Sequence, residues 1–200
     1  MASLYDWKPA FQDRLRPYAE QLHETGITPN QVTLAALALA AFEGALLLTW
    51  PGAWFPLLML PLVLFVRLAL NAIDGMIARE HGQATKSGKV LNELGDVLAD
   101  AFLYLPLMAV PGAPEALIAL AVLAGMAAEF TGVIAEAMGA GRRYDGPFGK
   151  SERAVAFGAA GLLLALGANA GWWFDLLMLL VIVLSARTAW NRAEAAVRPF

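Results

Sequence analysis

Several stretches of this chain run close to 20 residues with few charges, the length an α-helix needs to cross the hydrocarbon core of a bilayer. No other feature limits the fold so strongly, and it points to a helical integral membrane protein. The composition agrees. Of 200 residues, 59% are hydrophobic and 16% charged, and mean hydropathy is +0.58, far too apolar for an ordinary soluble domain. The chain has no Cys, which excludes a disulfide framework and a thiolate metal site. No signal peptide is visible: the N-terminus is charged and interrupted by Pro9 and Pro17. The first spanning helix is therefore expected to act as the insertion signal.

Along the chain, Leu4, Trp7, Phe11, Leu15, Tyr18 and Leu22 recur every three or four residues, with Lys8, Asp13, Arg14 and Arg16 between them. This pattern predicts an amphipathic helix over residues 1–26, lying in the membrane interface or packed on the protein's own flank. Pro9 suits a first helical turn, and Pro17 is expected to kink or split the helix. Six spans follow, at about 31–50, 54–79, 88–109, 115–138, 154–168 and 172–190, separated by Gly, Pro and polar residues. Residues 27–200 read as one domain. Trp50, Trp54, Trp172, Trp173 and Trp190 sit near span ends, as an interface belt does.

Six spans put both termini on the same side, and the basic residues test this. Of the 14 Lys and Arg residues, all but Arg67 fall at the N-terminus, the 2–3 loop, the 4–5 loop or the C-terminal end. That is the positive-inside pattern, and it places both termini and both polar loops in the cytoplasm.

Against this hydrocarbon background, residues 71–100 bring together acids, an Arg and glycines. Ionisable groups at membrane depth are costly and are functional candidates by default. The second and third spans are joined by a short loop and run antiparallel. Folding them about residues 83–84 sets Asn71 at the level of Asp96, Asp74 at that of Asn92 and Glu93, and Arg67 at that of Asp100. Asn71 and Asp74 share one helix face, and Asn92, Asp96 and Asp100 share another. Short oxygen-bearing side chains from both helices thus converge in one layer. Hard oxygen ligands of this kind suit Mg²⁺ or Mn²⁺, which also bind substrate phosphates. Arg79 and Lys86 could neutralise phosphate, and Gly75, Gly82 and Gly88 admit a ligand or a backbone closely. A metal and an Arg at a membrane surface suggest phosphoryl chemistry on a lipid or nucleotide.

The run Asp74-Gly75-x-x-Ala78-Arg79, eight residues, then Gly88-x-x-x-Asn92-x-x-x-Asp96 resembles the signature of the CDP-alcohol phosphotransferase family, D-x-x-D-G-x-x-A-R-x8-G-x-x-x-D-x-x-x-D. The spacing matches throughout. Thr28-Pro29-Asn30 is similar to the segment such proteins carry before the first span. Asn71 and Asn92 stand where the signature has its first and third aspartates. The resemblance implies a membrane transferase that moves a phosphatidyl group from CDP-diacylglycerol to a small alcohol and releases CMP. It implies Asp74, Asp96, Asn71 and Asn92 around a divalent metal, with Asp96 also the general base. It implies a CDP site lined by Gly75, Ala78, Arg79 and Gly88. It further implies that Lys150 and Arg153 take an acceptor phosphate, as in glycerol 3-phosphate or an inositol phosphate, although an anchor on anionic lipid explains that loop equally well. A homodimer in the bilayer is the expected assembly, and no nucleic-acid partner is expected.

Asn71 and Asn92 also support a second reading, a weakened relative that binds nucleotide-lipid without turnover. Glu93 could supply part of the missing charge. A transporter is disfavoured, because the polar groups gather at one membrane face. Arg67 and Asp100 read as an intramembrane ion pair. Glu129 is expected to face the cavity or pair with a neighbouring helix, and His23 and His81 to be solvated rather than ligands.

Overall fold

The computed structural model describes residues 8–197. Leu4, Trp7 and Arg198 of the patterns above lie outside them. The described residues form seven α-helices and one 3₁₀ turn, and no strand. The helices are α1 (Lys8–Glu24), α2 (Pro29–Thr49), α3 (Trp54–Glu80), α4 (Lys86–Tyr104), α5 (Glu115–Ala137), α6 (Lys150–Ala165) and α7 (Trp172–Val197). The 3₁₀ turn, Leu105–Ala109, continues α4.

Local chemistry sets the ends. Thr28 caps α2 in a reciprocal box with Gln31, whose Oε1 accepts the Thr28 backbone N–H at 2.8 Å, and Pro29 opens the helix. Thr85 caps α4 by accepting the Gly88 N–H at 3.0 Å. The expected third span is two pieces, because Pro106 lacks the N–H that an α-helix needs and the chain tightens to 3₁₀. The fifth expected span, α6, begins at Lys150, four residues earlier than the apolar pattern suggests, where Glu152 reaches back to the Gly149 N–H at 2.9 Å. In α1 the helix runs through Pro17 without a break. Pro17 is exposed, so water can serve the carbonyl it leaves free.

α2 is the centre of the bundle. It packs on both α3 and α4, while α6 packs on α3, α7 on α5, and α1 on α3. The antiparallel α3 and α4 touch each other far less than each touches α2, so side chains bridge the space between them. The core joins Leu57, Leu60, Leu64, Leu103, Phe157 and Phe174, with the Tyr104 and Phe157 rings stacked at 3.9 Å. A smaller cluster seats α1: Ala19 packs with Ile73, Met76 and Ile77, and Phe11 meets Phe65 edge-on at 6.0 Å. Arg16 pairs with Glu80. These contacts pack the N-terminal helix on the protein's own flank.

Four helices, α2, α3, α5 and α7, are long and apolar enough to cross a membrane. α4 carries Lys89, Glu93, Asp96 and Asp100, and α6 has only 16 residues. Large apolar side chains also face outward, among them Phe42, Leu62, Phe65, Leu123, Phe130, Leu163 and Val183. Such a surface suits lipid rather than water.

Candidate active site

The layer between α3 and α4 is assembled as their levels require. Asn71 donates its amide to Asp96 Oδ1 at 2.9 Å, and Asn92 donates to Asp74 Oδ2 at 3.2 Å. A third helix joins them: Thr33 of α2 donates its hydroxyl to Asp74 Oδ2 at 2.8 Å. Asp74 is buried, 3% exposed. Asp96 is more open, and Lys150, the first residue of α6, pairs with it. Arg67 Nη2 lies 3.6 Å from Asp96 Oδ1 and donates to the Asp96 carbonyl at 2.8 Å. Arg67 Nη1 bonds Asp100 Oδ1 at 2.5 Å, so the two residues expected to pair do so.

The donor chemistry bears on a metal. Two carboxylates and two amides offer hard oxygen atoms, and turning either amide about its terminal bond would present its carbonyl oxygen. Among the described residues no three His, Cys, Asp or Glu side chains form a metal-holding group. Such a set fits a single Mg²⁺ or Mn²⁺ whose remaining positions are filled by substrate phosphates and water.

The residues expected around CDP lie at the ends of the same two helices. Gly75 faces the Arg79 guanidinium: a Cβ there would sit 3.0 Å from Nη1. Arg79 is exposed and Ala78 half-buried. At Gly88 a Cβ would come within 2.6 Å of Asn30 Oδ1, so a larger residue would have to push the Asn30 side chain aside. Beside it a cleft of about 340 Å³ is lined by Thr28, Pro29, Asn30, Gln83 and Thr85. His23 and His81 stack at 3.8 Å near this end, and His23 Nδ1 meets Gln83 Nε2 at 3.0 Å.

Lys150 and Arg153 are both committed to carboxylates. Arg153 is buried, 1% exposed, and its Nη2 lies 3.1 Å from both Asp100 Oδ2 and Glu129 Oε1. Glu129 Oε2 also meets Arg142 Nη2 at 3.1 Å and Arg192 Nη1 at 3.3 Å. Glu93 is bound by Arg142 through two bonds of 2.9 Å and makes no ion pair in the Asp74–Asp96 layer. Burial opposes the charge on Arg142, but Glu93 and then Glu129 outweigh it and hold its pKa above the ordinary arginine value. Sequence reasoning missed Thr33 and the arginines around Glu129. A buried acid in an apolar helix signals that a cation must approach, but not which one.

The model of the CDP-alcohol phosphatidyltransferase family matches residues 26–193. The chain belongs to that family. It is a family of phospholipid-biosynthesis transferases with membrane-spanning helices. The chain is 43% identical over 195 residues to the inner membrane protein YnbA of Escherichia coli K12, across 98% of this chain and 96% of that protein. It is 37% identical over 102 residues to the phosphatidylinositol phosphate synthase of Mycolicibacterium smegmatis, a stretch covering 48% of this chain and 42% of that enzyme. Among solved structures, the Mycobacterium tuberculosis phosphatidylinositol phosphate synthase with CDP-DAG bound aligns with a TM-score of 0.74 at 20% identity, over 93% of this chain and 98% of that one. A second structure of that enzyme, with manganese and citrate, aligns with a TM-score of 0.72 at 22% identity, over 93% of each chain. At these identities the structural match concerns the fold.

Proposed function

We propose that this family member is an active transferase, which moves a phosphatidyl group from CDP-diacylglycerol to a small alcohol and releases CMP. The observation that carries this reading is the meeting of Asp74 and Asp96 in one layer, each held by an amide from the opposite helix. The likeness to a fold solved with CDP-DAG and with manganese supports it.

The donor's nucleotide enters between α3 and α4, where Gly75, Ala78, Arg79 and Gly88 line the CDP site and the Thr28–Thr85 cleft adjoins it. Asp74 and Asp96, with the amide oxygens of Asn71 and Asn92, would hold one Mg²⁺ or Mn²⁺. Bound there, the ion neutralises the pyrophosphate and polarises its phosphorus–oxygen bonds. Thr33 fixes the Asp74 carboxylate by a hydrogen bond from α2. Asp96, the more open acid, takes the proton of the acceptor hydroxyl. The hydroxyl oxygen bonds to the β-phosphorus, the bond from that phosphorus to the bridging oxygen breaks, and CMP leaves with the bonding pair. Lys150 stands beside Asp96 and pairs with it.

Six spans are the topology we assign, with α4 and α6 shielded in the bundle by their neighbours, both termini in the cytoplasm and the site opening there. The membrane is the inner one, as for the Escherichia coli relative. Residues 27–200 form the catalytic domain, with the helix before it an amphipathic flank.

CMP release from CDP-diacylglycerol by the purified protein tests the reading. Release that needs Mg²⁺ or Mn²⁺ and stops on chelation is the expected result. Tight binding of CDP-diacylglycerol with no release under any metal would instead make the protein a nucleotide-lipid binder, the role that the uncharged Asn71 and Asn92 favour.

A further inference from the structure

Around Glu129 the chain has built an anion site and filled it with its own carboxylate. Gly125 and Gly132 lie four residues before and three after Glu129 on α5, so all three share one face. Each glycine makes room for an arginine. A Cβ at Gly125 would meet Arg153 Cδ at 2.9 Å, and one at Gly132 would lie 1.8 Å from Arg142 Nη1. Arg192 comes from α7 and donates to the Ala128 carbonyl at 2.5 Å. Arg142, Arg153 and Arg192 thus converge from the α5–α6 connection, α6 and α7 on one side chain, at 3.1, 3.1 and 3.3 Å. Arg153 and Arg192 are at most 2% exposed. The Nε and Nη1 atoms of Arg153 are sealed from solvent, with no hydrogen-bond partner among the described residues.

The pairing extends to the reacting layer. Arg142 is also held by Glu93, Arg153 by Asp100, Asp100 by Arg67, and Asp96 by Arg67 and Lys150. Five cations therefore meet four carboxylates in one connected network, with Asp74 the fifth acid beside it. A dianionic phosphate ester bound by these cations would have to draw them off carboxylates that are buried, as Asp100 is, or half-buried, as Glu129 is, and leave those carboxylates unpaired. Losing one partner of a buried pair is the most costly way to disturb it. An uncharged hydroxyl compound disturbs none of these pairs.

Resting on the transferase reading above, we infer that the acceptor is an unphosphorylated alcohol, because Glu129 occupies the three-arginine cradle that an acceptor phosphate would need. Glu129 is a specificity-determining residue: it acts through the arginines and does not touch the reacting atoms. This replaces the sequence-based expectation that Lys150 and Arg153 receive an acceptor phosphate.

The test uses the full chain in lipid nanodiscs with CDP-diacylglycerol and Mg²⁺. CMP release is compared for glycerol against glycerol 3-phosphate, and for inositol against inositol 1-phosphate. We expect the unphosphorylated member of at least one pair to be favoured by about tenfold or more in kcat/KM, and Glu129→Gln to shift that ratio about tenfold toward the phosphorylated member. Equal use of both members, or preference for the ester, by the wild-type chain overturns the inference. If no acceptor releases CMP, the transferase reading fails, and calorimetric titration of the same two esters still decides the cradle. No saturable binding to the wild-type chain at millimolar ester, with binding gained by Glu129→Gln, is expected. Sub-millimolar binding to the wild-type chain overturns it. Should Glu129→Gln fail to fold, the wild-type ratio and titration decide alone.

Discussion

Arg67 shows how one residue fixes the chemistry of its neighbours. It is 1% exposed and holds Asp100 by its side chain and Asp96 by both carboxylate and carbonyl. Removing it leaves two carboxylates with less than their charge requires, so Arg67→Ala should cost about 3–5 kcal/mol of stability. Thermal unfolding in detergent measures this. A double exchange, Arg67→Asp with Asp100→Arg, should recover part of the loss if this pair is what matters, and no recovery would point to the contacts of Arg67 with Asp96 and of Asp100 with Arg153. Gly88 is a second such residue. Its missing Cβ leaves room for Asn30, which lines the cleft beside the proposed CDP site. Gly88→Ala should therefore raise the KM for CDP-diacylglycerol on the order of tenfold while kcat changes less. A fall in kcat at constant KM would place Gly88 outside nucleotide binding.

At the scale of helices, the sequence shows the α3–α4 layer well and its surroundings poorly, for a physical reason. Five residues, 81–85, join α3 to α4, so the two helices must run antiparallel and their levels follow from counting. Asn71 does meet Asp96, Asp74 meets Asn92, and Arg67 meets Asp100. Counting says nothing about which helix lies alongside. Thr33 on α2 reaches Asp74 only because α2 packs against both α3 and α4. The three arginines reach Glu129 only because α7 packs on α5 and the α5–α6 connection folds back toward both. That connection is fastened by the Phe148 N–H, which donates to Thr188 Oγ1 on α7 at 3.0 Å. Gly146 beside it has φ +125°, and a Cβ would lie 2.6 Å from Thr188. The apolar pattern also misplaces helix ends where a polar cap rules, as at Lys150, and misses the change to 3₁₀ at Pro106.

Taken whole, the described residues form a helical bundle with a connected set of charges inside it and many large apolar side chains on its outer face. The orientation we assign makes a direct prediction. The chain has no Cys, so single substitutions report topology without background. In intact cells, an impermeant thiol reagent should label Ala113→Cys, in the α4–α5 connection, and spare Ser87→Cys and Ser151→Cys until the membrane is opened. Labelling of Ser151→Cys from outside would reverse the assigned orientation.

In the transfer centre we propose, Asp74 and Asp96 do the work although amides occupy the other two positions. The most direct measurement compares wild type with Asp96→Asn, for both CMP release and binding of CDP-diacylglycerol. Asp96→Asn should lower kcat by about 10²–10⁴-fold, the usual worth of a positioned base, with donor binding weakened far less. Turnover that survives Asp96→Asn unchanged would contradict the account.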